Sequence, residues 1–130
     1  MNFLTSIPPH VENAAKISVY DVVGYDGICV ASEDGVKVYE QIAAALKEGK
    51  DVILSFKDVQ ETTPAFLSDA IARLYANFPE GQIESSLSIV DIHSDDTEDI
   101  GYVVEDMKEY LKDPQRFIDA WREVLGDDYV

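Results

Sequence analysis

The stretch that decides the fold is DVILSFKDVQETTPAFL, Asp51–Leu67. Its first half is nearly continuously apolar, with Val52, Ile53, Leu54 and Phe56 in a row broken only by Ser55. A half-solvated strand would alternate, so this pattern predicts an interior strand covered on both faces. The second half changes character. Thr62 or Thr63 offers a helix cap, Pro64 suits the first helical position, and Leu67, Ala70, Ile71, Leu74, Tyr75 and Phe78 then recur at helical spacing. A buried strand turning at once into an amphipathic helix is the unit from which parallel sheets are built.

Working outward, Ser32–Gly35 supplies an acidic helix start, and Val36, Tyr39, Ile42, Ala43 and Leu46 mark one face. Gly49 stops that helix, with Lys47 and Lys50 at its negative end. Upstream, KISVYDVV (Lys16–Val23) is rich in β-branched residues and predicts a strand. Tyr25-Asp26-Gly27 marks a turn, and Gly27–Ala31 predicts a second strand in an antiparallel hairpin with the first. Downstream, Pro79-Glu80-Gly81 closes the helix that began at Pro64, and LSIVDI (Leu87–Ile92) predicts another strand. Ser94 with Asp95 and Asp96 opens a third helix carrying Ile100, Val103, Val104, Met107 and Leu111. Asp113-Pro114 opens a fourth, with Phe117, Trp121, Val124 and Leu125 as its apolar stripe. The expected order is ββαβαβαα, an α/β fold with about four strands in a mostly parallel or mixed sheet. Residues 1–12, with Pro8-Pro9, form an irregular lead-in to a single domain over 13–130.

Composition narrows the function. The chain has 130 residues, 46% of them apolar, and a net charge of −16. From Asp91 onward there are 13 acidic and 4 basic residues. Such a field repels phosphate backbones, which argues against direct nucleic-acid binding and for solubility or a basic partner. No apolar run approaches the roughly 20 residues of a membrane helix. The start lacks the basic and apolar regions of a secretory signal, and the single cysteine, Cys29, suits a reducing compartment. The expected location is cytoplasmic.

No catalytic signature stands out. There is no nucleophile elbow and no glycine-rich phosphate loop. Asp91-Ile92-His93-Ser94-Asp95-Asp96 crowds carboxylates and an imidazole at a strand end, but lacks a second histidine or an EF-hand pattern. An acidic helix start accounts for it, so neither a metal nor a cofactor is expected.

The segment from Gly35 to Ile92, with "ALKEGKDVILSF", "KDVQETT", "PAFLSDAIARLY" and "LSIVDIH", resembles the STAS domain, the fold of bacterial anti-sigma factor antagonists. It is more similar still to STAS-like proteins of unknown function. In the antagonists a serine at the start of the second helix is phosphorylated by a partner kinase. Laid on that pattern, Val59 and Leu67 match its hydrophobic positions, and the serine pair falls on Pro64 and Ala65, which accept no phosphate. Thr62 and Thr63 carry the nearest hydroxyls. The resemblance implies a non-enzymatic regulatory or adaptor module that meets a kinase-like ATPase or other basic protein. The junction residues Lys57, Asp58, Gln60, Glu61, Thr62, Thr63 and Phe66 would form the contact. The alternatives are an acidic decoy occupying a nucleic-acid-binding protein's surface and an enzyme using the metal-binding chemistry of Asp91–Asp96.

Overall fold

In the computed structural model, which describes residues 14–24, 28–29 and 31–113, three parallel strands share one sheet. They are β1 (Ala15–Ser18), β3 (Val52–Ser55) and β5 (Leu87–Val90), in the order β1-β3-β5. Register runs Ala15 to Val52 and Val52 to Leu87. The central place of β3 agrees with its sequence, but its burial alternates: Val52 and Leu54 are sealed, whereas Ile53 and Ser55 are half-buried. Ile17, Val52, Leu54, Leu87 and Ile89 all turn to one side and join the helices in a single core. The other side carries Lys16, Ser18, Ile53, Ser55, Val90 and the buried Ser88; Ile53 and Ser55 there are only half-buried, so β3 is not sealed on both faces as expected.

The region after β1 departs most from expectation. Lys16–Val23 is not one strand, because helix α1 (Val19–Val23) begins directly after Ser18. Ser18 accepts the Asp21 N–H on its hydroxyl, and Gly24 ends the helix at φ 75°. Val19 and Val23, four apart, are buried on one face, and that packing outweighs their β propensity. The expected antiparallel hairpin is absent among the described residues. Strand β2 (Ile28–Cys29) instead pairs in parallel with β4 (Glu61–Thr62), a short strand the sequence reading did not contain.

Helix α2 (Ser32–Lys47) follows, buried through Gly35, Val38, Ile42, Ala45 and Leu46, with Val36 and Tyr39 at the margin. Gly35 is where it meets the next helical layer: a Cβ there would lie 2.6 Å from the Phe66 carbonyl oxygen. That layer is α3 (Pro64–Leu67), a π turn (Ser68–Ala72) and α4 (Leu74–Asn77). Its buried pairs, Phe66/Leu67, Ala70/Ile71 and Leu74/Tyr75, repeat every four residues. An α-helix of 3.6 residues per turn would rotate such pairs off the core, and one wider turn restores the alignment.

Phe78 and Pro79 end that run, but Pro79 also opens α5 (Glu80–Ser86), a further unexpected element, whose Ile83 is buried. After β5 comes α6 (Ser94–Lys112), which buries Ile100 and Val104 and half-buries Val103 and Met107; Leu111 is exposed. The observed order is therefore β1 α1 β2 α2 β3 β4 α3 π α4 α5 β5 α6, with two small sheets instead of one of four strands. The expected lead-in, the turn at 25–27 and the fourth helix lie outside the described residues.

Candidate functional site

The C-terminal ends of β1, β3 and β5 open on a depression bordered by Tyr20 of α1, the turn 57–60 and Asp91–His93. In open parallel sheets this end carries the loops and collects ligands. Here the chain leaves β3 through a tight turn. Phe56 donates its N–H to the Val90 carbonyl at 3.0 Å and accepts from the Val59 N–H at 3.1 Å. Phe56 and Val59 are both buried, so they pin the turn while Lys57, Asp58 and Gln60 project outward.

Two aspartates hold left-handed backbone at neighbouring strand ends, Asp58 at φ 67° and Asp91 at φ 59°. The conformation costs an L-residue about 1 kcal/mol or somewhat more, least for Asn and Asp. The ends are also tied together by side chains. The Lys57 N–H donates to Ser55 Oγ at 3.2 Å, and the Ser55 hydroxyl donates to Asp91 Oδ2 at 2.9 Å.

Beyond the turn, Glu61 is exposed and pairs with Ile28, and the Thr63 N–H reaches the Cys29 carbonyl at 3.2 Å. Thr63 is the helix cap, its hydroxyl accepting the Phe66 N–H at 3.2 Å, with Pro64 in the first turn. Thr62 is engaged as well: its hydroxyl donates to Asp96 Oδ1 at 3.0 Å and fastens β4 to the first turn of α6. Both threonines are half-buried. A phosphate on Thr62 would give up this bond and set its charge against Asp96.

Of the expected contact residues, Lys57, Asp58, Gln60 and Glu61 are exposed and adjoin one another. Phe66 is corrected: it is wholly buried, because the third position of a helix starting at Pro64 faces the core. The structure adds Tyr20, 37% exposed, which borders the same depression, and Ile28, 44% exposed, which lies beside Glu61. The Ser18-x-x-Asp21 capping pattern was the signal that could have placed Tyr20 on a helix.

The Asp91–Asp96 cluster is spread by its partners, Asp91 toward Ser55 and Asp96 toward Thr62. Among the described residues no three carboxylate, histidine or cysteine side chains stand together as a metal site. Cys29 is buried, and burial, with a smaller contribution from the charge of Asp34, pushes its thiol up to about 11. It is a protonated core residue at neutral pH.

A parallel sheet packed with helices, ending in a strand–turn–helix junction, defines an α/β domain and fits a STAS-like one. Residues 34–97, just under half of the chain, match the family described as a STAS-like domain of unknown function (DUF4325), and this segment is similar to that family. The match runs from the first turn of α2 to the first turn of α6 and takes in the whole junction. Searches among curated proteins and among solved structures find no match. No helix among the described residues is long and apolar enough to cross a membrane.

Proposed function

We propose that the domain is a non-enzymatic regulatory or adaptor module that recognises a protein partner through the junction at 57–63. The observation that carries this reading is the pairing of exposed apolar and polar groups there. Tyr20 borders the depression with Lys57, Asp58 and Gln60, and Ile28 lies beside Glu61. Exposed apolar side chains set among polar ones are the combination that protein interfaces use. The turn stands on buried anchors and cross-strand hydrogen bonds, so little ordering is lost on binding. Most neighbouring charges are negative, which suits a basic face on the partner; the family resemblance suggests a kinase-like ATPase.

The test is affinity capture from the native host with the intact chain, Tyr20→Ala and Lys57→Glu. Lys57 is exposed, so Lys57→Glu should unfold at nearly the wild-type temperature; Tyr20 is 37% exposed, so the capture by Tyr20→Ala is read alongside its measured unfolding temperature. A partner retained equally by all three proteins would refute the assignment of the junction.

A further inference from the structure

We infer that the outward face of α6 is a second docking surface, for a basic protein segment that presents arginine, with Tyr102 at its centre. Ile100 and Val104 fix the inward direction of this helix. At 3.6 residues per turn, Glu98, Tyr102 and Asp106 then fall on the opposite side, with Asp95 close by. Tyr102 is 68% exposed, more than any other large apolar side chain among the described residues. Glu98 lies one turn before it and Asp106 one turn after it, both exposed.

The cations of the same helix are already engaged. Lys108 pairs with Glu80 and Glu105, and Lys112 with Glu109. Among the described residues no cation pairs with Glu98 or Asp106, so the face presents an aromatic ring between two carboxylates on a chain of net charge −16, and its complement is cationic. Arginine fits better than lysine. Its planar guanidinium stacks on a ring while its edge donates two parallel hydrogen bonds to a carboxylate, whereas an ammonium is a point charge. Tyrosine and arginine are also the side chains on which interfaces most often concentrate their energy. Tyr102 lies beyond residues 34–97, the segment that matches the STAS-like family, and Asp96, the α6 residue that bonds Thr62 at the junction, falls on the inward side of the helix.

The probes are a short arginine-rich peptide and its lysine counterpart of equal length and charge, titrated calorimetrically into the full chain at physiological ionic strength. The expected result is tighter binding of the arginine peptide, weakened roughly fivefold by Tyr102→Ala and restored in Tyr102→Phe. The lysine peptide should change less than about twofold across the same proteins, because bulk attraction is untouched. Thermal unfolding of each variant checks that the fold is intact. If the two peptides bind alike, or if Tyr102→Ala keeps the full arginine affinity, the face is only a solvated acidic surface and the inference fails.

Discussion

Gly35→Ala is the sharpest test of how the helical layers pack. In the middle of a helix this change ordinarily stabilises by about 0.8–1 kcal/mol, because alanine loses less backbone freedom on folding. At Gly35 the added carbon would stand 2.6 Å from the Phe66 carbonyl oxygen, 3.1 Å from Asp69 Cβ and 3.3 Å from the Ala70 nitrogen. The nearest of these is backbone and cannot swing aside, so α2 and α3 must separate by several tenths of an ångström. Overpacking of this kind costs about 1–3 kcal/mol. Set against the propensity gain, the net expectation is a loss of up to about 2 kcal/mol and no stabilisation, or up to several degrees in unfolding temperature. Gly101 is the internal control: it lies within α6 and a Cβ there meets nothing within 4 Å. Gly101→Ala should therefore stabilise by up to about 1 kcal/mol. The assay is urea unfolding of both variants beside the wild type, read as a midpoint shift at constant slope. Equal stabilisation by both substitutions would refute the close packing of α2 on α3.

Thr63→Ala should cost about 1 kcal/mol through the lost cap, and Thr62→Ala about 1.5 kcal/mol through the lost bond to Asp96, each measured by chemical unfolding. A neutral Thr62→Ala would show that β4 is not held to α6. Leu54→Ala, which empties a fully buried site on the central strand, should cost about 3 kcal/mol in the same assay. Asp58→Gly should raise stability by about 1 kcal/mol by relieving its positive φ, and lower melting would contradict the turn geometry. Alkaline titration should destabilise the fold. Above its ordinary value of 9.0 the unfolded Cys29 thiol ionises, while the folded thiol stays protonated to about 11. Stability from this site is thus complete below pH 9 and declines across that window, by up to about 1.4 kcal/mol per pH unit. Tyr75 acts in the same direction, held above the usual phenol range by burial and then by Glu84, Glu80 and Glu105. Flat stability from pH 8 to 11 would contradict both assignments.

The elements legible in the sequence are those whose existence follows from local pattern alone, although the apolar run at Val52–Phe56 overstates how far β3 is covered. Val52–Ser55 and Leu87–Val90 are short apolar runs, and Thr63-Pro64 announces its helix without help from the rest of the chain. Val19–Val23 was not legible from composition, because β-branched residues favour strands and only the Ser18 cap and Gly24 argue otherwise. Pro79 misleads in a similar way: a residue that ends one helix also precedes another with a single buried side chain, Ile83. Two-residue strands such as Glu61–Thr62 carry no pattern, and pairing with β2 alone creates them. At the junction, exposure of Lys57, Asp58, Gln60 and Glu61 follows from turn chemistry, whereas the burial of Phe66 depends on the direction in which α3 leaves the sheet.

The parallel sheet also constrains how the chain is assembled. Among the described residues β1 finds no partner near it in sequence, since Ala15 pairs with Val52, and Val52 in turn with Leu87. During synthesis the first strand must therefore wait until α2 and the following strand have left the ribosome, and the sheet closes only when Leu87–Val90 emerges. Such distant pairings slow folding, because each demands closure of a long loop before it is rewarded. α2 is the one long helix available meanwhile, and its Gly35–Leu46 face is apolar. A nascent chain that stops short of Leu87 carries this greasy face without its complete sheet, the kind of surface that invites aggregation.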